Sequence, residues 1–560
     1  MVCKDTDMGN LRRISGLRTL CCPVVVLFFA LGAGAAVPPT APAMGISVRD
    51  HGAVGDGQAL DTAAVQVALD ACAAAGGGTV LFPPGTYRCG SVHLRSNVML
   101  WLDHGATILG SKSKDDYDPL EKLDFENDAD IETSYFHRSL LWGEGVERVG
   151  IAGFGTIDVG FSKRGGPKAI ALKRCRFIEI HGIRIINIPN YAVSMLGTDE
   201  VNIDGVTILN GYADGIDPDS CRNVRISNCR ISTVDDAIVP KASFSLGERR
   251  ACENITVTNC VLSTVCNAFK LGTESGGGFR RITVSNCVMT GYADNRPALS
   301  GIALESVDGG GIEGVAVSNI TMVDVRAPVF IRLGNRGRDM DTPAPGTLRD
   351  VVISNITAHR ASLACSITGI PGHPVRGVTL DNLRMEFTGS NPALPPGAEV
   401  PEREDGYPES VMFGPLPAYG LYCRHVEDLA VRDVNMRWRD GFWRLTTDVY
   451  KDIKWPGDGT IPSLAEPGGA GAALVCDDVS RLRMEGFDAR PDTGGAPVAH
   501  FRNVRDALVT GAMPMPGTYT FLEVSGTESR GIMLHGNVFQ RDTAPYSAGA
   551  DVEKTAVSVD

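Results

Sequence analysis

From residue 175 onward the chain repeats one pattern of apolar and polar positions. The segments CRFIEIHGIRI (175–185), TDEVNIDGVTI (198–208), CRNVRISNCRI (221–231) and CENITVTNCVL (252–262) share it, as do FRRITVSNCVM (279–289), IEGVAVSNITM (312–322), LRDVVISNITA (348–358) and VRGVTLDNLRM (375–385). In one copy Val224, Ile226, Cys229 and Ile231 are the apolar positions; in the next they are Ile255, Val257, Cys260 and Leu262. Alternation of this kind predicts two short strands around a polar corner. The corner is Gly182, Gly205, Asn228, Asn259, Asn286, Asn319, Asn355 or Asn382, residues that tolerate a left-handed backbone. Most copies start 23–36 residues apart, and degenerate copies begin near Val146, Val426, Val479, Asn503 and Ser529. Such a repeat predicts an all-β fold, a single-stranded right-handed parallel β-helix, with coils stacked about 4.8 Å apart. The corner asparagines should form a hydrogen-bonded ladder. Cys229, Cys260 and Cys287 share one repeat position and read as a stack of buried thiols, with a disulfide between neighbouring coils as the alternative.

An open β-helix exposes strand edges at its ends. The segment LDTAAVQVALDACAAAGGG (60–78) predicts a helix that caps the N-terminal end. Asp61 is its expected N-cap, Val65, Leu69 and Cys72 are its apolar face, and Gly76–Gly78 stops it. Interruptions near 386–420 and 438–472 are rich in Pro, Gly and charge and read as loops at the rim or side of a cleft. The β-helix domain is placed at 46–540. Residues 541–560 have no periodicity and read as a disordered tail.

Composition narrows the class of partner. The 560 residues carry a formal net charge of −13, and no basic stripe stands out, which argues against nucleic acid. An acidic polymer would need a locally basic cleft. At the N-terminus, Lys4, Arg12, Arg13 and Arg18 precede the apolar run CCPVVVLFFALGAGAA, and VPPTAPA follows. This order predicts a signal peptide at 1–36 and a linker at 37–45. The apolar run is about 16 residues, short of the roughly 20 needed to span a bilayer. The expectation is a secreted or periplasmic monomer with no membrane association after cleavage. The cysteines show no zinc-ligand spacing.

Residues at equal offsets from the repeat start lie above one another. Tyr191 and Asp214 are both at +16, Asp235 and Asp236 at +14 and +15, and Asn267 at +15. Lys270, Asp217, Lys241 and Arg332 follow at +18 to +20. Ionisable groups thus gather on one strip. Three carboxylates so close cannot all ionise cheaply, so at least one pKa should rise. A protonated carboxyl beside a carboxylate is the equipment for glycosidic bond hydrolysis. A calcium site or a satisfied turn network uses the same residue types and stays open on these residues alone.

Several segments resemble the polygalacturonases of glycoside hydrolase family 28, within the pectin-lyase-like β-helices. They are GAVGDGQALDTAAVQVALDACAAAGGGTVLFPPGTY (52–87), SNVMLWLDHGATILGS (96–111), GFGTID (153–158) and, above all, ADGIDPDSCRNVRISNCRISTVDDAIVPKAS (213–243). The resemblance implies an inverting hydrolase that needs no metal or organic cofactor. Asp235 would be the general acid, with Asp214 and Asp236 holding and deprotonating the water. The family's sugar-gripping block is altered. Tyr212 stands for an asparagine and Val234 for a glycine. Asn267 replaces a histidine, Phe330 an arginine and Arg332 a lysine.

Lys241, Lys270, Arg332 and Arg336 are the candidate replacement cations for a substrate carboxylate, though each could equally be a solvated charge. Asp217 shares the strip, and Glu274 is placed at the cleft within GTESGGG (272–278). Tyr191 and Tyr212 either stack on a sugar ring or pack at strand ends. The expected substrate is a galacturonic-acid-containing or related acidic polysaccharide. The alternatives are a calcium-dependent polysaccharide lyase and a non-catalytic carbohydrate-binding β-helix.

Overall fold

The structure is a computed structural model that describes residues 45–292, 296–388, 399–439, 471–489 and 495–560. The expected signal at 1–36 and nearly all of the expected linker lie outside the described residues. So do 389–398 of the first interruption and 440–470 of the second.

The alternation read from the sequence becomes a stack of parallel strands. Ile180, Ile203, Ile226, Val257 and Val284 pair in consecutive coils. The column continues through Val317, Ile353, Leu380 and Val431. Every member of it is buried, and each apolar side chain taken from water contributes about 1.5–3 kcal/mol. The polar positions between them face outward. All registered strand pairs among the described residues are parallel, as a β-helix requires.

The corners behave as their residue types demand. Asn228, Asn259, Asn286, Asn319, Asn355 and Asn382 have φ of 53–57°. Their amides hydrogen-bond coil to coil: Asn259 donates to Asn228, Asn319 to Asn286, and Asn382 to Asn355. A second left-handed column runs through Phe177, Glu200, Asn223, Asn254 and Arg281. It has its own ladder, in which Asn223 donates to Glu200, Asn254 to Asn223 and Arg281 to Asn254. Its residue types are mixed, so no sequence pattern announces it. Cys229, Cys260 and Cys287 are buried free thiols. Each Sγ lies 3.2 Å from the carbonyl oxygen two residues earlier.

The N-terminal helix spans Thr62–Ala74 and buries Val65, Leu69 and Cys72. Asp61 stands at the N-cap position but makes no side-chain cap bond. Its carboxylate instead accepts the N–H groups of Val54 and Gly55 at 2.7 and 3.1 Å, pinning the preceding loop. Among the described residues no helix is long and apolar enough to cross a membrane.

The C-terminal tail departs from expectation. Ala544–Ala548 pairs with Thr520–Ser525, and Val557–Val559 pairs with Arg530–His535. Residues 541–560 therefore extend the coil stack, and the domain does not stop at 540. These strands continue the stack, but they are too short and too exposed to show periodicity.

The strands that carry the site form one face. A five-stranded sheet is built from Val92–His93, Ser139–Glu144, Lys168–Lys173, Val193–Leu196 and Ile216–Asp219. Bridges from Ile216 to Ile238 and on to Phe269 carry this face into the later coils. The described part of the first interruption, 399–417, lies against those coils. There Val400, Met412, Phe413 and Leu416 pack with Ala303, Phe330 and Tyr422 in a second apolar cluster.

Candidate active site

Glycine sets the spacing of the two coils that matter. A Cβ on Gly215 would lie 2.3 Å from the carbonyl oxygen of Ala237 and 2.7 Å from Ile231. Only glycine lets the coil bearing Asp214 sit this close to the one bearing Asp235 and Asp236. Gly215 N–H donates to Asp236 O, and Ala237 N–H donates to Asn267 O. Asp214, Asp236 and Asn267 therefore stand in register, with Tyr191 one coil before Asp214. The offset rule brings these residues together as expected.

Each carboxylate has its own partners. Asp214 and Asp217 are buried and share Lys241, whose Nζ lies 2.8 Å from Asp214 and 3.0 Å from Asp217. The same Nζ donates to Tyr191 Oη at 3.2 Å and lies 4.3 Å from its ring centre. Tyr191 is thus packed against a lysine. Burial pushes the Asp214 carboxyl well up, and Lys241 offsets only part of this. Burial likewise raises Asp217 to about 6 against the pull of Lys241.

Asp236 accepts both the backbone N–H and the Nδ2 of Asn267, at 2.9 and 2.8 Å. Its other oxygen is 3.4 Å from Lys270 Nζ. The residue that replaces the family histidine thus anchors a carboxylate.

Asp235 stands at the turn itself. Its carbonyl accepts the hydroxyls of Thr233 and Thr264. Its carboxylate, with the side chain 26% exposed, meets Arg164 Nη1 at 2.5 Å. Burial pushes the Asp235 carboxyl up, but the charge and hydrogen bond of Arg164 outweigh it and hold the group below the usual carboxylate range. The expected disagreement about a proton is present. The directions run opposite to what the resemblance implied: burial raises the Asp214 carboxyl, and Arg164 lowers that of Asp235.

Arg164 was not among the residues singled out from sequence. It sits in the turn KRGG between the strands Thr156–Asp158 and Lys168–Lys173, three coils from the aspartate pair. No offset rule reaches a side chain that spans coils. Two more unanticipated residues come from the first interruption. Glu409 lies 3.7 Å from Lys270 Nζ, and burial raises its carboxyl to about 7 against the pull of Lys270. The ring of Tyr407 lies 5.8 Å from Lys270 Nζ and 5.7 Å from the Arg336 guanidinium. Glu305 completes the surroundings of Lys270 at 3.7 Å.

Other expected residues lie apart. Arg332 is fully buried and donates to the carbonyls of Gly369, Glu402 and Arg403. It shares the column of Lys241 through Gly272 and Glu305, but that is three coils on, roughly 14 Å, and beneath the 399–417 segment. The expectation of Arg332 as a cleft cation is therefore corrected. Phe330 lies in the apolar cluster under the same segment. Arg336 is paired with Asp308 at 2.6 Å, and Glu274 with Arg338 at 2.8 Å. Tyr212 is half-buried at the turn before Asp214.

Among the described residues, Asp235, Asp236 and Cys266 bring donor atoms within 4.8 Å of one another. The two carboxylates are already engaged by Arg164, Asn267 and Lys270, and burial pushes the Cys266 thiol well up. The thiolate a metal would need is disfavoured, so the set fits a cation-paired carboxylate cluster better than a metal centre.

Residues 127–394 match the model of Glycosyl hydrolases family 28. Residues 45–104 match Rhamnogalacturonase A/epimerase, pectate lyase-like. A probable polygalacturonase of Vitis vinifera is 26% identical over 62% of this chain and 76% of its own length. An exo-poly-alpha-D-galacturonosidase of Dickeya chrysanthemi is 24% identical over 62% of this chain and 68% of its own. The crystal structure of an exopolygalacturonase from Thermotoga maritima shares the fold, with a TM-score of 0.54 and 21% identity over 70% of this chain and 93% of that one. Over residues 127–394 the chain thus matches glycosyl hydrolases family 28, and it is a polygalacturonase-like glycoside hydrolase on a right-handed parallel β-helix.

Proposed function

We propose that this protein hydrolyses glycosidic bonds of galacturonic-acid-containing or closely related acidic polysaccharide, after export, with inversion at the anomeric carbon. The observation that carries this reading is the cluster of Asp214, Asp235 and Asp236 on two adjoining coils, bordered by Lys241, Lys270 and Arg164. Such a cluster supplies an acid, a base and cations for a uronate carboxylate in one place. The named activities of the relatives point to the same substrate class.

In this mechanism Asp235 protonates the leaving oxygen. Asp214 and Asp236 hold the attacking water on the opposite face of the ring, and one of them takes its proton. Asp235 must first be freed of Arg164. A uronate carboxylate in the cleft competes for that guanidinium, which is 47% exposed at its side chain and also meets Glu132 at 3.5 Å. Once the ion pair breaks, burial of Asp235 is opposed only by the weaker pull of Lys270 and Lys241, and the protonated form gains. Substrate binding thereby arms the acid. Lys270, held between Asp236, Glu305 and Glu409, fixes the base side.

The test is product analysis on a panel of pectic and other acidic glycans, with Asp235→Asn as control. New reducing ends from galacturonan, lost in the variant, are expected. Cleavage of neutral glycans only would refute the role of the cations. An unsaturated, ultraviolet-absorbing product abolished by chelator would identify a lyase instead.

A further inference from the structure

The chain is acidic overall, yet one pocket near the catalytic face is lined by cations and no carboxylate. It has a volume of about 350 Å³ and is bounded by Lys112, Lys114, Arg138, Tyr117, Phe161 and the backbone of 165–167. Lys112, Lys114 and Arg138 are exposed. Among the described residues none of the three has an ion-pair partner, whereas the cations of the active site are all paired. Lys112 Nζ stands 4.6 Å over the ring of Phe161. The neighbouring Asp116 carboxylate is turned to the hydroxyl of Ser111. A second pocket, on another face, mixes Arg148 and Arg225 with Glu179 and Glu200, so its charge cancels.

Place in the fold gives the cationic pocket its meaning. Thr156–Asp158 pairs with Ala106–Gly110 on one side and Arg184–Ile188 on the other, and the stack continues through Thr207–Gly211 to Arg230–Thr233. The turns that line the pocket therefore lie three and four coils before the turn of Asp235, roughly 14–19 Å along the axis. They lie on the same side. The turn that supplies Gly165, Gly166 and Pro167 to the pocket also carries Arg164, whose guanidinium reaches Asp235.

We propose that the pocket of Lys112, Lys114, Arg138 and Phe161 is a distal subsite for an acidic sugar, three to four coils from the bond broken at Asp235. The cations take the sugar carboxylate and the Phe161 ring takes an apolar face of the pyranose. This rests on the substrate class proposed above and deepens it: the enzyme prefers chains long enough to reach from the aspartates to the pocket.

The test compares the unaltered protein with a Lys112→Ala, Lys114→Ala, Arg138→Ala variant on galacturonate oligomers of graded length. The three side chains are exposed, so the variant should fold, as circular dichroism would verify. KM for long oligomers should rise about tenfold, the effect of losing several exposed charge contacts. KM for the shortest cleaved oligomers and kcat for both should change less than twofold. Added salt should erase the difference on long oligomers. Unchanged KM for long oligomers, or equal binding of the octamer by the two proteins in calorimetry, would overturn the subsite. Failure of the unaltered protein to cleave any galacturonate oligomer would count against the proposed substrate itself.

Discussion

In the proposed mechanism the contact of Arg164 with Asp235 is decisive, because a general acid cannot work while a guanidinium holds it ionised. The sign of the resulting pH dependence can be worked out. In the free enzyme the Asp235 carboxyl lies below the usual range, so kcat/KM should fall with rising pH along a limb set at low pH. In the complex, with Arg164 drawn to the substrate, the kcat limb should lie at higher pH. Arg164→Gln removes the cation, so its kcat/KM limb should move up toward the kcat limb while KM rises. Paired pH profiles of the two proteins measure this; coincident limbs in the unaltered protein would refute the switch. Lys241 makes a different prediction. Lys241→Met leaves Asp214 and Asp217 buried without their cation, which should cost about 3–5 kcal/mol of stability, read by denaturant unfolding, together with most of the activity. An unfolding midpoint equal to that of the parent would show that Lys241 does not offset these charges.

At the scale of elements, the spacing of two coils decides whether the aspartates can cooperate. Gly215→Ala forces a methyl against the carbonyl of Ala237 and should lower stability by about 1–3 kcal/mol. It should reduce kcat by spreading Asp214 from Asp236, while an alanine at the outward-facing Gly145, where a Cβ meets nothing within 4 Å but φ is +66°, should cost some stability and leave kcat unchanged. Thermal melts and kcat for the pair check this. The repeats were legible because each coil writes the same alternation, and the strip of Asp214, Asp236 and Asn267 was legible because register is constant through those coils. What the sequence concealed has a physical cause in each case. Arg332 falls in the correct column, but a column says nothing of distance along the axis or of what covers it. Arg164 acts across coils from a turn. Tyr407 and Glu409 arrive from an interruption with no periodicity to place them. Glu409→Gln tests whether that segment contributes: it removes a charge 3.7 Å from Lys270 and should alter KM and the pH profile, whereas a purely structural segment would leave the profile in place.

At the scale of the whole molecule, a long parallel stack buries its apolar column and leaves one face to carry polar groups from many coils. On the proposed function, that design sets cations along the path of a polymer, and an acidic chain would bind an acidic substrate locally. In the proposed function, three aspartates on this face hydrolyse a uronate glycan with inversion. Following the hydrolysis of a galacturonate oligomer by proton NMR from the first seconds tests it most directly. The account predicts that the new reducing end appears first with the anomeric configuration opposite to that of the bond broken, and that Asp235→Asn slows its appearance by about 10²–10⁴-fold. First appearance of the retained anomer, or an undiminished rate in the variant, would contradict it.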